Sequence, residues 1–175
     1  ETIFPYAFVN GRRTRSGAEM SWMPGPFSLK GEFIDVHEER HGQGLLGNDL
    51  PDLMERGWYL SGTWAVTGQP KARGLDRGRL IPFVQGWGAL ELAIRNEAIR
   101  FGSDGGTGRP SRSIRAWNVL PQSERVWTFG VNWYANQWAK VQSNFVREWI
   151  EDAFRAPIAG RNVYWSYKVR LQLSL

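Results

Sequence analysis

The run His37-Glu38-Glu39-Arg40-His41 has the residue types and spacing of a zinc-hydrolase motif. On a helix, residues i and i+4 share a face, so His37 and His41 could ligate Zn²⁺ while Glu38 activates a water. Gly44 sits where the extended form of the pattern has glycine. However, Gly47 replaces its third histidine, and the chain has only these two His. The residues before the motif alternate like a strand, and only the first 36 positions precede it, too few for the sheet such enzymes place upstream. The favoured reading is a solvated loop, with metal binding by His37 and His41 the weaker alternative.

Other chemistry has less support. The sequence contains no cysteine, which removes thiol nucleophiles, thiolate metal sites and disulfides. Glycines from Gly102 to Gly108 lack the following Lys-Ser/Thr and helix of a phosphate loop. No Ser/His/Asp set is evident. The basic runs Arg12-Arg13-Thr14-Arg15 and Arg109-Pro110-Ser111-Arg112-Ser113 lie near turns, and nucleic-acid binding would want exposed aromatics among them. The expectation is a protein that is not an enzyme, uses no cofactor and does not bind nucleic acid. Net charge of +5 and a pI near 9.9 favour anionic partners.

The elements that must carry these residues are strands. From Trp165 to Leu175 apolar and polar residues alternate strictly: Trp165, Tyr167, Val169, Leu171, Leu173 and Leu175 against Ser166, Lys168, Arg170, Gln172 and Ser174. Period-two alternation places the two sets on opposite faces of a strand. A surface apolar on one side and basic on the other fits a barrel with lipid outside and a polar lumen. No apolar run approaches the roughly 20 residues of a spanning helix. About eight strands are expected. The first, around Ile3 to Val9, ends at the turn dipeptide Asn10-Gly11. The others fall at about 14–23, from Phe27, and at about 56–67, 84–99, 123–135, 138–150 and from 162 onward. A helical turn is expected only at Trp149 to Phe154.

Connection lengths add a second signal, because outer-membrane barrels alternate long external loops with short periplasmic turns. With the C-terminus on the periplasmic side, Pro24-Gly25-Pro26 and Asn136 fall on short turns, and 41–54 and 102–121 fall on long external loops. The connection at 68–82 is long on the short side. Trp127 and Trp149 are expected near one rim and Trp133 near the other, where indole favours the membrane interface. Arg125 and Arg147 share the apolar phase but sit at its outer ends, within reach of lipid phosphates.

Several segments together resemble the phosphate-selective porin O and P family. They are Gly57-Trp58-Tyr59-Leu60-Ser61-Gly62-Thr63-Trp64-Ala65-Val66-Thr67-Gly68-Gln69-Pro70, Gly86-Trp87-Gly88-Ala89-Leu90-Glu91-Leu92-Ala93-Ile94-Arg95, Phe129-Gly130-Val131-Asn132-Trp133-Tyr134, and Val169-Arg170-Leu171-Gln172-Leu173. They occur in family order and cover most of the chain from Asn10 onward. The resemblance implies a Gram-negative outer-membrane porin, a sixteen-stranded antiparallel barrel that trimerises. This chain would be its C-terminal half, a single partial β-barrel domain over 1–175, and Glu1-Thr2-Ile3-Phe4-Pro5 reads as the interior of a longer product. Leu175 stands where such barrels usually end in an aromatic residue. The family's anion-binding residues lie largely in the other half, so phosphate selectivity does not carry over to named residues here.

In that frame the polar phase collects Arg15, Lys30, Arg95, Lys140, Lys168 and Arg170 as anion-attracting, pore-lining candidates, with Glu19, Glu32 and Glu91 among them. Lys140, Lys168 and Arg170 stand out because their two strands are expected to offer no acid in that phase. The expected function is part of a diffusion channel for small anions such as phosphate or polyphosphate, in contact with outer-membrane lipids. The alternatives are a soluble Trp-rich β-sandwich that binds carbohydrate and the zinc hydrolase of His37, Glu38 and His41.

Overall fold

A computed structural model describes residues 6–70, 86–103, 108–136 and 138–173. The chain forms β1 (Arg13–Trp22), β2 (Phe27–Arg40), β3 (Leu50–Ala65), β4 (Ala89–Ser103), β5 (Pro110–Ser111), β6 (Asn118–Val119), β7 (Gln122–Tyr134), β8 (Ala139–Ile150), a 3₁₀ turn (Ala153–Arg155) and β9 (Val163–Leu173). Seven strands make one antiparallel sheet in the order β1-β2-β3-β4-β7-β8-β9, while β5 and β6 pair in parallel within a loop. Every sheet neighbour is the next long strand in sequence, an up-and-down meander that tight turns can build locally. The sheet is open, with β1 and β9 at its edges.

The register decides which side chains share a face. One row across the sheet joins Met20, Gly31, Leu60, Asn96, Trp127, Arg147 and Trp165. Two residues along, Trp22, Leu29, Gly62, Ile94, Phe129, Phe145 and Tyr167 form the next row. Alternate residues of each strand therefore build one continuous apolar face, because a period of two never rotates them away. That face is uncovered: Ile94, Phe129, Phe145, Val169 and Leu171 are exposed, with Leu171 at 63%. The alternative of a sandwich core fails here, since a core would bury these rows against a second sheet.

Buried apolar clusters lie instead at the two ends of the strands. At one end Leu53, Phe101 and Val119 pack with Ala7. At the other Ala65 and Ala89 pack with Tyr134. Gly88 beside the second cluster has φ +96, and a Cβ there would strike the Tyr134 carbonyl, so only glycine fits this approach.

The strands differ from the sequence expectation at the start of the chain, where residues 3–5 lie outside the described residues, and in the 102–121 loop, where β5 and β6 form a short parallel pair. Residues 6–9 form no strand, and Asn10-Gly11 closes no hairpin. Asn10 instead bridges Arg40 in the parallel sense, and Ala7 tucks into the Leu53 cluster. This stretch packs on the sheet end through Ala7 instead of pairing as an edge strand. Most of the 68–82 connection lies outside the described residues.

Candidate functional site

The opposite, polar face holds the charged residues. Arg15, Lys30, Arg95, Lys140, Lys168 and Arg170 all fall on it by register: Arg15 faces Val36, Lys30 faces Ser21 and Ser61, and Arg95 faces Ser61 and Thr128. Lys140 lies between Tyr134 and Gln172, Lys168 faces Asn144, and Arg170 faces Gln142. The structure thus brings Lys140, Lys168 and Arg170 into one patch on β8 and β9, and leaves Arg15 at the far edge strand.

Their surroundings differ. Arg95 is neutralised in place: its Nε donates to Glu97 Oε2 at 2.6 Å, and its guanidinium lies 4.0 Å from the Tyr59 ring centroid. Arg13 is held by Glu38 at 2.5 Å. Lys140 stacks its ammonium 4.7 Å from the Tyr134 ring, whose face is electron-rich. Lys168 and Arg170 are exposed and have no carboxylate partner among the described residues.

The acids cluster elsewhere on this face. Glu32, Glu97 and Glu124 surround a concavity of about 310 Å³ floored by Ile34, Ile99 and Val126. Glu91 anchors a chain near the other end: Asn132 Nδ2 donates to its Oε1 at 2.7 Å, and Gln142 Nε2 donates to Asn132 Oδ1 at 3.0 Å. The expectation that β8 and β9 carry no acid in this phase is wrong. Glu148 lies on the same face, across from Val126 and Tyr164. The error is one of parity, since Glu148 stands an even number of residues from Lys140. It sits toward the opposite end of β8, away from the basic patch.

The loop between β4 and β7 is part of this face. Its Val119 packs on Leu53 and Phe101, which point to the polar side, so the loop folds over that side at one end. Two arginines clamp it. Arg40, fully buried, donates to the carbonyls of Phe8 (3.2 Å), Pro51 (3.4 Å), Ala116 (3.1 Å) and Ile114 (3.0 Å). Arg155 donates to Leu120 (3.2 Å) and to Pro121, and pairs with Asp152 at 2.7 Å. A guanidinium has five donors in a fixed fork, so one side chain can satisfy several loop carbonyls at once. Sequence reading missed both residues. Continuing the alternation Ile34, Val36, Glu38 to Arg40 would have placed Arg40 on the inward phase.

The zinc reading is overturned by the same strand geometry. Positions 37–40 are the end of β2, not a helix, so consecutive side chains alternate. His37 turns to the apolar side and bonds Asp52 at 3.0 Å, whereas Glu38 turns to the polar side and bonds Arg13. In a strand, four residues span about 13 Å, too far for two imidazoles to share one ion. Among the described residues no group of three His, Asp or Glu could hold a metal.

His41 lies in the β2–β3 loop between Glu39 (3.0 Å) and Asp49 (3.3 Å). Its hydrogen bond to Asp49 raises its pKa above the usual imidazole value, with Glu39 adding to the effect. Asp49 is pulled below the usual carboxylate range, first by the Gly42 N–H at 2.7 Å and then by His41.

No curated protein matches the chain. A family model described as phosphate-selective porin O and P matches residues 2–155. An uncovered apolar face, a charged opposite face and a meander of long antiparallel strands are what a transmembrane barrel wall requires, since in lipid every backbone group must pair with a neighbouring strand. The chain belongs to the phosphate-selective porin O and P family, the β-barrel porins of the Gram-negative outer membrane.

Proposed function

We propose that this chain is one wall of a diffusion channel for small anions, and that the basic patch of β8 and β9 supplies the attraction. The observation that carries the reading is the pair Lys168 and Arg170, aligned on the lumen side opposite the neutral Asn144 and Gln142, with no carboxylate partner among the described residues. Lys140 extends the patch on the next strand. Fixed positive charge with weak, repeated contacts raises local anion concentration without trapping the ion. Phosphate is the solute that the family's description suggests.

Arg15 and Lys30 belong to the same wall in a secondary role, and Arg95 is the weakest contributor because Glu97 already neutralises it. The open edges β1 and β9 fit a C-terminal half-barrel whose closure requires upstream strands. In that reading 1–175 is a single partial domain, and the complete protein is a homotrimer in outer-membrane lipid. A porin is a channel, and no catalytic step is assigned to it.

The test is single-channel recording of the complete protein under a salt gradient. Lys140→Glu with Arg170→Glu should move the reversal potential toward cation preference. An unchanged reversal potential would remove the patch from the selectivity mechanism.

A further inference from the structure

On the outward face arginines appear toward one end of the strands in three successive rows: Arg56 and Arg100 share one, Arg125 lies in the next, and Arg147 lies in the row of Trp127. Arg56 faces Arg100 directly across β3 and β4, Arg125 follows on β7 opposite Ala98, and Arg147 follows on β8 opposite Trp127. All four lie at the end of the strands that bears the 41–49, 104–121 and 151–162 connections. Like charges placed directly opposite one another on a sheet repel; Asp35, opposite Arg56 on its other side, offsets one of the two charges and leaves Arg100 for a further anion.

One acid on this side already serves the cluster, and another is engaged elsewhere. Asp35 accepts from Nε of Arg56 at 2.9 Å, and Glu151 accepts from Ser123 at 2.8 Å. Arg100 and Arg125 are exposed and have no carboxylate partner among the described residues. Arg56 and Arg100 also line a cleft of about 220 Å³ with Asp35, Met54, Gly102 and Pro121. Arginine is the side chain best shaped to hold phosphate oxygens in pairs.

We propose that the Arg56–Arg100 cleft, extended by Arg125 and Arg147, binds the phosphorylated headgroup of an outer-leaflet glycolipid. The occupant follows from position. The acyl-facing belt lies immediately below the cleft, so a ligand seated here places its phosphate on the guanidiniums and its chains along Trp58, Ala98 and Trp127. A free anion would gain only the first of these contacts. The long connections mark this end as external. The inference rests on the porin orientation given above, but it concerns the side of the wall away from the lumen.

The test reconstitutes the complete protein in phosphatidylcholine nanodiscs doped with bisphosphorylated lipid A or with the same lipid stripped of both phosphates. Retained lipid A is counted by mass spectrometry after repurification. Retention of the phosphorylated form should exceed that of the stripped form by about tenfold or more, since each surface arginine contributes about 1 kcal/mol toward an anionic lipid. Arg56→Gln with Arg100→Gln should bring retention down to the stripped-lipid level, and millimolar inorganic phosphate should not displace the lipid. Equal retention of the two lipids, or an unaffected double variant, would overturn the proposal. Displacement by inorganic phosphate would reassign the cleft to a free anion and overturn the lipid reading. Arg100→Gln alone leaves the Asp35 pair in place and carries the test if the double variant fails to fold. Conductance of the same preparations separates the two claims: a channel that conducts but ignores lipid phosphate refutes only this inference, and one that never conducts refutes the porin reading.

Discussion

The two faces of this sheet are made by the same strands and sort their residues along different axes. The outward face is sorted along the strand: an apolar belt, then arginines at one end. The inward face is sorted across the strands: Glu32, Glu97 and Glu124 draw together on β2, β4 and β7, and the basic patch of Lys140, Lys168 and Arg170 stands on β8 and β9. The difference follows from what each face meets. A bilayer varies only with depth, so every strand must change character at the same height. A lumen is wet at every depth, so its charges are free to vary around the wall. An eleven-residue strand such as β9, at about 3.3 Å per residue and a tilt of about 40°, rises about 25 Å, the height of the hydrocarbon band.

The sharpest way to break this comparison is to put charge into the belt. Ile94 lies midway along it, between Gly62 and Phe129, whereas Trp127 lies at its outer rim. Ile94→Arg should destabilise the refolded complete barrel by about 2–4 kcal/mol in denaturant titrations, and Trp127→Arg by about 0–1 kcal/mol. Equal losses would show that the belt is not graded by depth.

A smaller effect is expected from the buried clamp. Arg40→Ala would strip four carbonyls of their donor, two of them in the β4–β7 loop, and should cost about 1–3 kcal/mol locally. Hydrogen exchange should rise across 108–121 and stay unchanged in β8 and β9. Uniform protection would mean that the loop is held by the Val119 contact alone.

The smallest effect is set by pH. His41 has a raised pKa in the folded loop, so its contribution is fully present below about 6.5 and is lost as pH rises through the raised value. Asp49 is depressed, so its contribution is present above about 3.9 and is lost as pH falls through the lowered value. The 41–49 loop should therefore be best ordered between those limits. Imidazole NMR shifts should place the His41 midpoint above that of a free histidine, and a midpoint at or below it would contradict the Asp49 contact.

Much of this was legible from the chain because a period of two survives any tertiary context. Trp165 through Leu173 could be assigned to faces without coordinates, and so could the phase of Lys140, Lys168 and Arg170. What was not legible depended on contacts between distant residues. Nothing local to Ala7 says that it packs on Leu53 and Phe101 rather than joining a hairpin. Nothing local to Arg95 distinguishes a free lumen charge from one stacked on Tyr59 and paired with Glu97. Arg40 looked like one more charge in a polar run, yet the loop it holds comes from more than seventy residues away. The Arg56–Arg100 opposition is a matter of β3–β4 register, which pairs residues forty-four positions apart.

The central claim is that odd and even positions of β9 meet different solvents. This chain contributes no cysteine, so single cysteines can be introduced into it one at a time, in a complete protein cleared of any cysteine elsewhere. With the protein in a bilayer, a charged water-soluble thiol reagent should label Lys168→Cys and Arg170→Cys rapidly and leave Val169→Cys and Leu171→Cys unlabelled. Uniform labelling along the strand, or the opposite phase, would contradict the account.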